Sequence, residues 1–223
     1  MLIGGLQKFS LIDFPGKPCA IVFTQGCNFR CPYCHNPELV YREQFNAPLS
    51  ENVVLDFLQK RAGLLEAVTV SGGEATLQPD LPNFLRKVKS MGYQTKLETN
   101  GTNPAMLREL LDENLLDAVA MDLKAPLFKY ASVSGAEHLT KAVAASMEIV
   151  KAAPVIKEFR TTFDKTLLSE EDIAAIRALC GGVKYTVSPC LSVEKEPLTR
   201  RLTMTVLPRV EHPSAKMPET CPA

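Results

Sequence analysis

Residues 67–101 read AVTVSGGEATLQPDLPNFLRKVKSMGYQTKLETNG, and the rhythm of this stretch decides the fold. Ala67–Ser71 and Gln94–Glu98 are short runs of apolar and β-branched residues, the composition of strands. Between them Leu81, Phe84, Leu85, Val88 and Met91 recur with the spacing of one buried helical face. A strand, a helix and a second strand at this spacing form a βαβ unit, with parallel strands and a right-handed crossover.

The alternation continues on both sides. Cys19–Thr24, Ala118–Leu123, Ile156–Phe163 and Val183–Val187 add strand-like runs, six in all. Val54, Phe57, Leu58 and Lys60 fit a helix before Ala67, and Leu139, Val143, Met147 and Val150 fit a later one. Met106, Leu107, Leu110 and Leu111 mark a helix with Asn103 as N-cap and Pro104 in its first turn. Ile173, Ile176 and Leu179 mark another, capped by Ser169 and stopped at Gly181-Gly182. Six parallel strands fall short of a closed eight-stranded barrel. The expected fold is therefore α/β, a partial (β/α)6 TIM-like barrel; periodicity leaves a flat doubly wound sheet open. Leu2–Lys17, with turns at Gly4-Gly5 and Pro15-Gly16, is expected as an N-terminal hairpin or edge-strand extension. Residues 1–207 are expected to form the domain, and 208–223, rich in proline and polar residues, a surface or disordered tail.

Twenty-five basic and 25 acidic residues balance, which argues against nucleic acid or an anionic membrane as an electrostatic partner. No apolar run is long enough for a membrane span, and Met1–Lys8 lacks a basic region followed by an apolar stretch. A cytoplasmic location is expected.

Of seven cysteines, Cys27, Cys31 and Cys34 crowd into eight residues, while Cys19, Cys180, Cys190 and Cys221 are scattered. A secreted disulfide scaffold would be shorter and more evenly stapled. The loop 24–37 reads TQGCNFRCPYCHNP and follows the first strand of the alternation, on the face where barrel active sites form. A structural zinc site needs four ligands, and His35 directly after Cys34 is poorly placed to be the fourth. A redox pair of Cys31 and Cys34 leaves Cys27 unexplained. Electron-carrying [4Fe-4S] proteins supply four thiolates; three leave one iron open to a substrate.

The spacing C-x3-C-x-aromatic-C, with Tyr33 as the aromatic, resembles the signature of the radical S-adenosylmethionine (radical SAM) superfamily. Gly26–Pro37 with the leading LQKFSLIDFPGK, Leu6–Lys17, is similar to the activating proteins of glycyl radical enzymes, most of all those of anaerobic ribonucleoside-triphosphate reductase. The resemblance covers about residues 1–190. It implies one [4Fe-4S] cluster, with Cys27, Cys31 and Cys34 as metal ligands and catalytic residues. It also implies S-adenosylmethionine cleaved to methionine and a 5′-deoxyadenosyl radical, a glycyl radical enzyme as protein substrate, and a flavodoxin- or ferredoxin-type electron donor. A small-molecule radical SAM enzyme, such as a 7-carboxy-7-deazaguanine synthase, and an activase of a pyruvate formate-lyase-like enzyme are the alternatives. A non-catalytic iron–sulfur carrier is disfavoured by the missing fourth cysteine.

The resemblance also assigns supporting positions. Gly72-Gly73-Glu74 matches the Gly-Gly-Glu motif that holds the methionine amino group; its glycines would let backbone approach a ligand, and Glu74 would accept from the amine. Ala75 stands where the family usually has proline. Glu98 and Thr99, in an Asn-Gly turn context, and the pair Asp122 and Lys124 fall where the family lines the cofactor site. The plainer readings are a turn and an inward salt bridge. Arg160 would meet the cofactor carboxylate or balance Glu158. His35 and Asn36 are expected to shape the loop; His138 and His212 to lie on the surface.

Overall fold

The computed structural model of the chain describes residues 1–190; the expected tail, with His212 and Cys221, lies outside the described residues. Strand β1 (Ile3–Ser10) leads to β2 (Cys19–Thr24). Helices and strands then alternate: α1 (Glu51–Arg61), β3 (Ala67–Gly72), α2 (Leu81–Ser90), β4 (Gln94–Thr99), α3 (Pro104–Asp112) and β5 (Ala118–Asp122). The short α4 (Tyr130–Ser134), α5 (Thr140–Ala152), β6 (Ile156–Phe163), α6 (Glu170–Leu179) and β7 (Lys184–Pro189) complete the run.

The strands form one sheet in the order β1 to β7. β1 pairs antiparallel with β2, and every later pair is parallel. The sheet is open, with β1 and β7 as its edges among the described residues. This is the expected partial barrel, and Leu2–Lys17 supplies an edge strand. Parallel register sets Thr24 beside Gly72, Thr99 beside Met121 and Asp122 beside Arg160, so the strand C-termini share one level.

Local chemistry explains the helix ends. Asn103 accepts from the Met106 N–H at 3.2 Å, with Pro104 next. Ser169 and Asp172 close a reciprocal capping box on α6, and Gly181 and Gly182 follow with positive φ. The core lies between sheet and helices. Val68, Val70, Leu97, Val119 and Phe159 from the strands meet Phe84, Leu85, Leu107, Val143 and Val150 from the helices, all buried.

The segment after β1 closes the opposite end. Phe14 is fully buried against Cys19, Ala67 and Ala118, the first residues of β2, β3 and β5. The Asp13 carbonyl accepts from Thr69 Oγ1 at 3.1 Å and Lys96 Nζ at 2.8 Å. The Lys8–Lys17 stretch, which by resemblance pointed to the partner, is thus a floor at the strand N-termini, remote from the cysteine loop. Among the described residues no helix is long and apolar enough to cross a membrane.

Candidate active site

At the strand C-termini the loops surround a cavity of about 250 Å³, just under the usual range of about 300–1,000 Å³ for small-molecule sites. Its walls include Cys27, Cys31, Tyr33, Cys34, His35 and Asn36 from the loop after β2. Gly72 ends β3 and Gly73 and Glu74 follow it, Glu98 and Thr99 end β4, and Asp122 ends β5 with Lys124 just beyond it. A second hollow of about 360 Å³, lined by Arg108, Asp112, Glu148 and apolar neighbours, gathers no comparable set.

The cysteine loop is held from several sides. Arg30 N–H donates to the Ser134 carbonyl at 2.8 Å, and Arg30 Nη1 to the carbonyls of Cys27 and Phe29, each at 2.7 Å. Phe29 meets Tyr130 edge-on. The three thiols are free and partly buried. Burial pushes the Cys27 thiol up to about 11 and raises that of Cys31. Such thiols become ligands when a cationic metal displaces the proton.

Among the described residues no three His, Cys, Asp or Glu side chains converge on one metal ion. A [4Fe-4S] cluster takes its thiolates at separate irons. The buried Tyr33 hydroxyl lies beside the Cys31 thiol and makes no hydrogen bond of ordinary geometry among the described residues. An orphaned donor on a cavity wall is accounted for by a ligand that meets it. The donor set therefore fits a cluster with a bound small molecule.

The glycines act differently from the expectation. A Cβ on Gly72 would sit 2.3 Å from the Thr24 nitrogen, and one on Gly73 2.1 Å from the Gly26 oxygen. The close approach is to neighbouring backbone. The Gly73 N–H donates to the Thr24 carbonyl at 2.9 Å, and the Glu74 N–H to the Gly26 carbonyl at 2.7 Å, so neither is free to cradle a ligand.

Glu74 also differs from a free acceptor. Its Oε1 accepts from Thr76 N–H at 3.1 Å, Thr76 Oγ1 at 2.5 Å and Thr99 Oγ1 at 2.7 Å; its Oε2 accepts from Asn100 N–H at 2.6 Å. Oε1 is thereby saturated, while Oε2 keeps one of its two acceptor positions. Burial raises this carboxyl despite the four donors. Ala75, in the family's proline position, is buried in a single 3-10 turn.

Beneath the cavity a ladder of alternating charge crosses the inner face. Lys96 Nζ lies 3.0 Å from Glu98 Oε1, and Arg160 Nη1 lies 2.8 Å from the same oxygen. Arg160 Nε reaches Asp122 Oδ1 at 3.2 Å, and Lys124 Nζ reaches Asp122 Oδ2 at 2.9 Å. Ser71 Oγ donates to Glu98 Oε2 at 2.9 Å. Burial would raise the Glu98 carboxyl, but Arg160 and then Lys96 outweigh it and hold it low. Burial likewise opposes the Asp122 anion, and Lys124 and Arg160 hold its carboxyl low. Burial would lower the Lys124 ammonium, but Asp122 overrides it and the net shift is upward.

Most sequence-derived positions thus meet on one cavity. Arg160 is absent from its wall, tied instead between two carboxylates that line it. Its expected partner Glu158 pairs with Lys184 at 3.2 Å. Sequence reasoning missed Lys96 and Asn100. Strand alternation puts Lys96 on the face of Glu98, a signal that was available.

Residues 21–179 match the radical SAM superfamily. The chain belongs to that superfamily. Membership implies a [4Fe-4S] cluster and S-adenosylmethionine, and makes the chain a radical SAM enzyme. It is 35% identical over 181 residues to a protein of Methanocaldococcus jannaschii named as a glycyl-radical enzyme activating enzyme, covering 78% of this chain and 73% of that protein. It is 34% identical over 128 residues to the pyruvate formate-lyase-activating enzyme of Clostridium pasteurianum, covering 55% of this chain and 52% of that one. Here the radical SAM chain spans about half the length of the relative. The fold resembles that of Streptococcus suis SuiB bound to S-adenosylmethionine, with TM-score 0.63, 17% identity, and coverage of 82% of this chain and 45% of that one.

Proposed function

We propose that this radical SAM enzyme is a glycyl-radical enzyme activating enzyme in which Cys27, Cys31 and Cys34 hold one [4Fe-4S] cluster. The observation that carries the reading is the meeting of these cysteines with Gly72–Glu74, Glu98, Thr99, Asp122 and Lys124 on one cavity wall. The bound cluster supplies one electron for reductive cleavage of S-adenosylmethionine.

The chain's own residues bind and orient. Lys124 on the wall sets positive charge for the cofactor carboxylate, and Arg160 holds the wall carboxylates Glu98 and Asp122 in place. Glu74 sets negative charge near the amino group while clasping the loops after β3 and β4. Glu98, Thr99 and Tyr33 shape the wall around the remainder, and Tyr33 offers the cofactor its unused hydroxyl. The apolar walls Phe29 and Val40 limit water.

The partner that the Gly26–Pro37 likeness supports is anaerobic ribonucleoside-triphosphate reductase. Its glycine loop would enter over the mouth or through the open side of the sheet. A flavodoxin- or ferredoxin-type protein would deliver the electron, in the cytoplasm. Identity to the pyruvate formate-lyase-activating enzyme favours a second reading, a pyruvate formate-lyase-like partner. The test is electron paramagnetic resonance after anaerobic incubation of the reconstituted enzyme, S-adenosylmethionine and reductant with each candidate partner. A glycyl doublet in the reductase alone supports the first reading, and in the lyase alone the second. No doublet in either, with cofactor cleavage intact, overturns both partners.

A further inference from the structure

Asn100 lies where the loop after β4 meets the cysteine loop, and its side chain is fixed without ambiguity. Oδ1 accepts from the Thr102 N–H at 3.0 Å and from Thr102 Oγ1 at 2.7 Å. A backbone N–H can only donate, so that end of the carboxamide is oxygen. Nδ2 therefore faces the other way, toward Asn28 Oδ1 at 3.0 Å and Cys27 Sγ at 3.9 Å. Asn28 is oriented in turn by its Nδ2, which donates to Thr102 Oγ1 at 2.8 Å. The Asn100 N–H is committed to Glu74 Oε2, and the residue is 6% exposed. The Phe29 N–H gives the same sulfur a second donor at 3.4 Å.

We propose that Asn100 is a positioning residue for the cluster: through Nδ2 it donates to the Cys27 sulfur, orients that ligand and raises the cluster's reduction potential. This rests on the assignment of Cys27 as a cluster ligand. Reduction adds negative charge to the cluster and its sulfur ligands. A donor aimed at one of those sulfurs stabilises the reduced form more than the oxidised one, and low local dielectric strengthens the effect. Because Asn100 also bonds Glu74, one residue sets the cysteine ligand and the Gly-Gly-Glu loop in a common frame.

The test is an anaerobic redox titration of the full chain followed by electron paramagnetic resonance, with iron content measured in parallel. Asn100→Ser removes the carboxamide donor. Asn100→Asp keeps the Thr102 acceptor but turns a charge toward the sulfur. Asn28→Ala removes the second partner of Nδ2 and the Asn28 bond to Thr102 Oγ1 but leaves the Asn100 carboxamide in place. The potential should fall from wild type to Asn100→Ser to Asn100→Asp, with Asn28→Ala close to wild type. Each tenfold loss in stabilisation of the reduced form reads as 59 mV for this one-electron couple. Unchanged potentials in both Asn100 variants at full iron content overturn the proposal. Should the variants not assemble a cluster, wild-type enzyme labelled with ¹⁵N in asparagine side chains decides. Hyperfine coupling of a side-chain nitrogen to the reduced cluster supports the role, and its absence overturns it. A wild-type chain that binds no four-iron cluster refutes the ligand assignment instead.

Discussion

Gly73→Ala is the smallest change that should disable the site by geometry alone. The new Cβ would stand 2.1 Å from the Gly26 oxygen, 2.7 Å from its carbonyl carbon and 2.9 Å from the Leu39 oxygen. All three are backbone atoms, so no rotamer relieves the contact. Ordinary contact begins near 3.4 Å, so the loops after β2 and β3 must part by about 1.3 Å. That separation breaks the Glu74 N–H to Gly26 carbonyl bond, now 2.7 Å, and strains the Gly26 N–H to Leu39 carbonyl bond, also 2.7 Å. Each bond contributes about 0.5–1.5 kcal/mol, and a donor left buried without a partner costs about 1–3 kcal/mol. The expected loss is about 2–5 kcal/mol, or roughly 5–20 °C in Tm for a chain of this size. Gly63→Ala is the control, because its Cβ meets nothing within 4 Å and only its positive φ is penalised; it should lose about 1 kcal/mol. Thermal and urea unfolding of the full chain give both numbers. A Gly73→Ala chain within about 0.5 kcal/mol of wild type would refute the backbone-contact argument.

Phe14→Ala should cost about 3–5 kcal/mol in urea unfolding, because the ring fills the floor at the N-terminal ends of three strands. Ser169→Ala removes half of the α6 capping box and should cost about 1 kcal/mol, seen as a shift in the urea midpoint without a change in m. Glu98 has a folded pKa below its unfolded value of about 4.3. Its contribution is therefore complete above that pH and is lost as pH falls through the lower folded value. Arg160→Met should flatten the acid limb of a stability-versus-pH curve below about pH 4, and an unchanged slope contradicts the pairing.

The fold was legible because its signals are local and repeat. Leu81, Phe84, Leu85 and Val88 bury one face of α2, and Asn103 and Ser169 cap their helices through the bonds their side chains predict. The cysteine spacing was legible for the same reason: all three fall in one loop. What periodicity does not carry is the direction in which a polar group spends its bonds. Gly72 and Gly73 looked like a ligand cradle; they do line the cavity, but their close approach is to neighbouring backbone, where two loops touch. Glu74 looked like a free acceptor and spends most of its capacity on Thr76, Thr99 and Asn100. Arg160 on β6 pairs with Asp122 on the adjacent β5 and reaches over that strand to Glu98 on β4, because adjacent strands lie closer than same-strand residues two apart and a long guanidinium side chain spans two of them. The Lys8–Lys17 segment carried family likeness yet proved to be floor, so it speaks for the fold more than for the partner.

The central claim is that three thiolates in the loop after β2 hold a cluster that cleaves S-adenosylmethionine. It is tested most directly by reconstituting the full chain without oxygen, adding S-adenosylmethionine and a strong reductant, and measuring 5′-deoxyadenosine. The account predicts product from wild type and none from Cys27→Ala, Cys31→Ala or Cys34→Ala, each of which should also lose the four-iron signal. A wild-type chain with an intact cluster and no 5′-deoxyadenosine, or a cysteine variant that keeps both, would contradict it.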